Sequence, residues 1–262
     1  MGKSEKIVPR IPPATAPVAL KPVEVAFLGE CAVRAADRHS PPLYVQALCW
    51  SRTRPGWTAL TQAWDAIKAQ RDGTTPHVKL VKGPPPPPSW VLVAAPLLGA
   101  PFREITAEES TLAAWIARTQ LAFAVAIVEE AGRAGKGADG LPYKTAIGQC
   151  LEAYQAFQAT PGYDPVRLVM APAQPPSRDV GLAEAFRDVR ARLRGAPVLD
   201  GMQLRTCAPG ADPLPLALAT LAAAAVARHV AEPGTANPIY DAVRGKLVHM
   251  PRRLAAEGSH RR

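Results

Sequence analysis

The sequence predicts an α/β fold in which one mixed β-sheet is flanked by helices. The 262 residues have an apolar share of 48%, which is ordinary for a globular protein with a buried core. Strand-like segments come first, helical segments follow, and the two then alternate, an order typical of one α/β domain. Residues 214–229 form an Ala/Leu helix that is apolar nearly all round, so we expect it to be buried on more than one side.

Two β-rich segments, 23–29 and 43–50, open the predicted domain and are expected to pair antiparallel across a wide connection. The turn-forming residues Ser40, Pro41 and Pro42 precede the second of them. Further strands are predicted at 77–82, 90–98, 166–170 and 202–207, of which the last closes the sheet, and a stiff proline loop is predicted at 83–88.

Apolar residues at helical spacing predict the helices. The longest begins at the capping pair Thr106 and Glu109 and is expected to continue to residue 133. At the end of the Ala/Leu helix, His229 is expected to cap the last carbonyl groups. The predicted helices span 57–68, 107–133, 143–158, 179–194, 214–229 and 237–248.

The chain ends differ from the middle. Residues 1–22 contain five prolines and are predicted to be a disordered tail, residues 23–250 form the single domain, and residues 251–262 form a basic, flexible tail. The net charge of +9 favours anionic partners such as nucleic acid. The alternative is a surface that is basic without a specific anionic partner.

Several site classes are disfavoured. The four cysteines are far apart without a Cys-x-x-Cys pair, and the five histidines lack metal spacing, so neither a metal nor a cofactor is expected. The glycine-rich stretch around Lys136 lacks the Ser or Thr and the earlier Gly of a phosphate loop. With no apolar signal core at the N-terminus, a cytoplasmic protein without a membrane partner is expected.

Carboxylates are scarce where a metal-dependent nuclease would need them. A two-metal site requires several acids that converge on one point. The first predicted strand ends at Gly29, Glu30 and Cys31, and Ala171 follows a later strand. The polar residues of the Ala/Leu helix are Thr220, Arg228 and His229, none of which is an acid, so Glu30 and Asp212 are the acids that remain.

On these segments, the order of elements resembles a bacterial RNase H-like domain family of unknown function. Its members open with an Asp-Glu-Ser-Gly strand and close with a Leu-Gln-Leu-Ala-Asp helix. Residues 29–32 stand at the first motif, residues 216–220 at the second, and Ala171 at the acid that the family places after a central strand. The resemblance covers residues 23–250 and implies an RNase H-like sheet with a degenerate site at Gly29, Glu30, Ala171 and Thr220.

The leading hypothesis is a non-catalytic RNase H-like protein that binds nucleic acid or a protein partner. Arg187, Arg190 and Arg194 form a basic stripe on the helix predicted at 179–194, and such residues bind phosphates. The alternative for the stripe is a solvated face, partly paired with Glu184 and Asp188.

Two other hypotheses remain open. The first is an active metal-dependent nuclease that uses Glu30, Asp212 and further acids. The second is a scaffold protein that docks through its proline-rich segments.

Overall fold

A computed structural model describes residues 25–33, 42–52, 107–129, 142–158, 165–172, 176–193, 197–207 and 214–255. Within these ranges the chain forms a six-stranded sheet flanked by five α-helices, which confirms the predicted α/β fold with a mixed sheet. The elements are β1 (Val25–Val33), β2 (Leu43–Ser51), α1 (Ala107–Arg118), β3 (Leu121–Glu129), α2 (Pro142–Gln158), β4 (Leu168–Ala171), α3 (Pro176–Arg192), a 3-10 turn (Pro197–Leu199), β5 (Gln203–Thr206), α4 (Leu214–Ala231), α5 (Pro238–Arg244) and β6 (Arg253–Ala255).

The strand order in the sheet is β5-β4-β1-β2-β3-β6. The predicted antiparallel pairing of β1 with β2 is confirmed, with Gly29 opposite Ala47, and β3 continues the meander on the other side of β2. β4, β5 and β6 are each parallel to their neighbour, so of the six described strands β2 alone runs the opposite way. The carboxyl ends of the other five strands therefore share one edge, the carboxyl edge, and their amino ends share the opposite amino edge.

Helices cover both faces of the sheet. α4 lies across β1 and β2, with α1 and α5 beside it, and this is the α4 face. α2 and α3 cover the other face, the α2 face. All nine residues of β2 are buried, because this central strand has helices above and below it. Strands buried on both faces are expected to be apolar throughout rather than alternating with polar residues.

The predicted helix over 107–133 is wrong in its second half. α1 ends at Arg118, where the Thr119 hydroxyl donates to the Ile116 carbonyl at 2.8 Å, and β3 begins two residues later. The apolar run of β3 alternates large residues with alanine. The large ones pack on the α4 face, and the alanines lie under α2. Side-chain size alternates along this run with a period of two residues, which indicates a strand. The hydrophobicity of the run alone is compatible with a helix or with a strand.

The end of the domain also differs from the prediction. β5 is not the last strand, because β6 pairs parallel with β3 and places Arg253 opposite Ile127. Residues 253–255 therefore belong to the sheet, although the sequence predicts a flexible tail from residue 251. α5 is shorter than the predicted helix 237–248, since Asn237 caps its start and the chain turns at Gly245 to pair with Phe123.

The remaining predicted elements fall into two groups. The helices predicted at 143–158, 179–194 and 214–229 are confirmed as α2, α3 and α4, and the strand predicted at 166–170 is confirmed as β4. The predictions for 1–22, 57–68, 77–82, 83–88 and 90–98 lie outside the described residues.

Tyr154 of α2 gives the core a pH-dependent element. Its hydroxyl accepts from the Val166 N–H at 2.7 Å, and burial raises the pKa of Tyr154 to about 12. Because the pKa of Tyr154 is higher in the folded protein than in the unfolded chain, the neutral phenol favours folding. Its contribution to the free energy of unfolding is complete below about pH 10 and is lost as the pH rises from about 10 to about 12.

We expect Tyr154→Phe to be about 1 kcal/mol less stable than the wild type at pH 8, because the Val166 N–H loses its acceptor. Between pH 10 and 12 the variant should lose about 2 kcal/mol less stability than the wild type. Urea unfolding of both proteins in reducing buffer, at pH 8 and at about pH 11.5, tests this. The higher pH lies within the range over which Tyr154 ionises. Equal losses in the two proteins would contradict the assignment, because the buried thiols titrate in both.

Candidate functional site

The main chain of α4 lies directly on β1 at Gly29. A Cβ atom built on Gly29 would be 2.0 Å from the Thr220 nitrogen and 2.1 Å from the Ala219 carbonyl carbon. Real Cβ atoms do not approach main-chain atoms this closely, so the two elements meet through a position that has no side chain. The structure thus brings together two of the four residues of the predicted degenerate site, and it fills the space between them with backbone.

The other two residues of that site, Glu30 and Ala171, lie on the opposite face of the sheet. Successive side chains of a strand point to opposite faces, so Glu30 lies on the α2 face when Gly29 lies against α4. Ala171 is buried in the cluster beneath α2 and α3. β1 also continues to Val33, so Glu30 lies within the strand and not at its end as predicted.

A short row of polar side chains crosses β1 and β2 on the α2 face. The Tyr44 hydroxyl donates to Glu30 Oε2 at 2.5 Å, and Gln46 Nε2 donates to the Tyr44 hydroxyl at 3.3 Å. Gln46 is fully buried, and its Oε1 has no hydrogen-bond partner among the described atoms. The central strand therefore carries a buried amide that nothing in the sequence pattern singled out.

Cys150 of α2 lies beside this row and is chemically inert. Its Sγ is 3.6 Å from the Gln46 carbonyl oxygen and 3.5 Å from that of Ala124. Burial raises the pKa of the Cys150 thiol to about 12, and it raises that of Cys31 to the same range with a further contribution from Glu30. Thiols that stay protonated near pH 7 are poor nucleophiles, so neither of these two cysteines is a candidate nucleophile.

The acids do not form a metal site within the part of the chain that the structure describes. No three His, Cys, Asp or Glu side chains there are close enough to hold a metal ion. Asp212, the second acid of the nuclease hypothesis, lies outside the described residues.

The predicted arginine stripe on α3 is only partly free to bind. Arg190 Nη1 donates to the Met202 carbonyl at 2.7 Å, and its guanidinium lies 5.9 Å from the centre of the Phe186 ring. Arg187 is exposed, and Arg194 lies outside the described residues. Asp188, from the same helix, pairs with Lys144 at 3.1 Å. Arg190 thus ties α3 to the residue before β5, and Asp188 pairs with Lys144 of α2 instead of with an arginine of the stripe.

Arg253, and not His229, caps the end of α4. Arg253 Nη2 donates to the Val230 carbonyl at 3.1 Å. The His229 ring stacks on Tyr240, with 3.7 Å between ring centres and 11° between the planes, so it joins α4 to α5. The predicted capping role of His229 is corrected accordingly.

α4 is long and apolar enough to span a membrane by composition, with a mean hydropathy of 1.6. It is, however, 67% buried within the protein, against β1 and β2. Helices of this kind are common in the cores of globular proteins, and the α4 contacts account for its composition.

Comparison with protein-family models and with curated protein sequences finds no match to this chain.

Proposed function

We propose that this chain is an RNase H-like protein without metal-dependent nuclease activity, which acts by binding nucleic acid or a protein partner through its basic surface. The contact between Gly29 and the α4 main chain carries this proposal. At the position matching the family's first acidic motif, a Cβ atom would be 2.0 Å from the Thr220 nitrogen, so no carboxylate fits there. A two-metal site needs several carboxylates on one point, and this position cannot supply one.

The sheet gives further support to the RNase H-like assignment. The resemblance implies a mixed sheet that is flanked by helices. Here β1, β2 and β3 form the meander, and β4 and β5 extend it in parallel beyond β1. The connections through α2, α3 and α4 follow the element order on which the resemblance rests.

The charge of the chain supports a binding role. The net charge of +9 favours association with anionic partners. The acids that are missing from the degenerate site leave this net charge more positive than it would be with them. We also propose a cytoplasmic location. The burial of α4 in the core supports one part of this, namely that the helix is not a membrane anchor.

Two assays of the full chain test the proposal. Labelled DNA and RNA are incubated with the protein in Mg²⁺ or Mn²⁺, and no cleavage is expected. The same nucleic acids are titrated at about 50 and 200 mM salt, and any phosphate-driven binding should weaken steeply between the two. Cleavage that disappears in Glu30→Ala would overturn the proposal in favour of an active nuclease. If the protein binds no nucleic acid at low salt, the nucleic-acid partner is excluded and the protein partner remains.

A further inference from the structure

Three basic residues from separate parts of the chain lie near the amino edge of β3. Lys246 Nζ donates to the Thr119 carbonyl at 2.9 Å. Arg118 is the last residue of α1, directly before this turn, and Arg244 is the last residue of α5, which packs on α1. We name Arg118, Arg244 and Lys246 the amino-edge patch. Arg52 is not part of it, because its guanidinium lies 5.1 Å from the centre of the Phe157 ring of α2.

The charges of this patch are less compensated than those of α3. Arg118 and Arg244 are exposed and form no ion pair with any described residue, whereas Arg192 of α3 is 3.7 Å from Glu152. Lys246 is half-buried and lies two residues after Arg244. Asp241, in the first turn of α5, is the acid nearest in sequence to Arg244, and no ion pair joins these two described residues.

The surroundings of the patch suit a phosphate backbone better than a membrane or unpaired bases. Among the described residues the large exposed hydrophobic side chains are Val180 and Met250, and neither belongs to the patch. Insertion into lipid relies on such side chains. Unpaired bases stack on exposed aromatic rings, and every aromatic residue that the structure describes is buried or half-buried.

We propose that the amino-edge patch binds the phosphodiester backbone of double-stranded nucleic acid without sequence preference. This inference rests on the proposed function and names its partner and its surface. It also moves the contact from the predicted α3 stripe to the amino edge of β3, where Arg118 and Arg244 lie at the ends of α1 and α5. Contacts of this kind give position-independent affinity through release of counterions from the duplex.

The test is an anisotropy titration of the full chain with a labelled DNA duplex at several salt concentrations. The variant Arg118→Gln/Arg244→Gln removes two charges and keeps good helix-forming residues. Each lost phosphate contact should weaken binding about eightfold at 0.1 M salt and reduce the salt slope by about 0.9, so the double variant should bind about sixtyfold more weakly. Arg205→Gln is the matched control, because Arg205 is exposed on β5, at the end of the sheet far from β3, and it should bind like the wild type.

The outcomes separate the patch from the wider proposal. Each variant must first match the wild type in circular dichroism and thermal melting. Lys246→Gln is omitted because the Lys246 ammonium also donates to the Thr119 carbonyl and its loss could destabilise the fold. If the double variant binds like the wild type while Arg187→Gln, in the α3 stripe, loses affinity, the patch is wrong and nucleic-acid binding stands. If the wild type binds vesicles with 30% anionic lipid (roughly a cytoplasmic-leaflet charge) but no duplex, the nucleic-acid partner itself is overturned.

Discussion

Replacing Gly29 by alanine is expected to destabilise the protein by about 4 kcal/mol or more, which is most of the stability of a domain at the low end of the usual range of about 5 to 15 kcal/mol. The added methyl group would lie 2.0 Å from the Thr220 nitrogen and 2.1 Å from the Ala219 carbonyl carbon. Both are main-chain atoms of α4, so no side-chain rotation relieves the clash. α4 would have to move off β1 and expose the apolar surface that the two elements bury. Soluble yield, circular dichroism and the midpoint of thermal unfolding measure the effect.

Gly234→Ala is the matched control. A Cβ atom on Gly234 would have no atom within 4 Å, so the substitution should leave the stability unchanged or raise it by about 0.5 kcal/mol. A Gly29→Ala protein that folds and melts like the control would show that α4 is not seated on β1. The proposed loss of the metal site would then lose its main support.

Replacing Trp50 by alanine has the second largest expected effect, a loss of about 3 to 5 kcal/mol. Trp50 lies on β2 with 2% of its surface exposed. Its ring meets Tyr154 edge-on at 5.1 Å and Phe157 at 5.5 Å between ring centres, and these contacts attach α2 to the sheet. The alanine variant leaves a large cavity between the two layers, which urea unfolding would report as a lower midpoint with a similar slope.

Trp50→Phe separates the loss of volume from the loss of polar contacts. The indole Nε1 of Trp50 has no hydrogen-bond partner among the described atoms, so phenylalanine sacrifices no hydrogen bond and keeps most of the ring contacts. This variant should lose less than half as much stability as Trp50→Ala, about 1 to 2 kcal/mol. Similar losses in the two variants would mean that packing of Trp50 against α2 is not the source of the effect.

The candidate site was predictable in its parts but not in its arrangement. Gly29 and Thr220, which the resemblance groups in one degenerate site, are far apart in sequence and adjacent in the fold. Their neighbour Glu30 lies on the other face, because a strand alternates its side chains and the predicted strand end fell too early. Gln46 gave no signal, since one polar residue in an apolar strand leaves its partners undetermined.

The amino-edge patch shows a similar limit. Lys246 and Thr119 are separated by 127 positions, and no local spacing connects them. The sequence suggested the α3 stripe because its arginines recur at helical intervals. In the fold, however, Arg190 is tied to the Met202 carbonyl, while Arg118 and Arg244 are exposed at helix ends.

The sequence by itself determined the α/β class, the β1–β2 pair, and the helices α2, α3 and α4, because each depends on local periodicity or on an apolar surface that one element must bury. Only the tertiary structure decided that residues 121–129 are a strand, since an apolar run buried on both faces satisfies either a helix or a strand until its neighbours are in place. It also decided that Arg253–Ala255 joins the sheet, because a three-residue strand exists only through its pairing with β3.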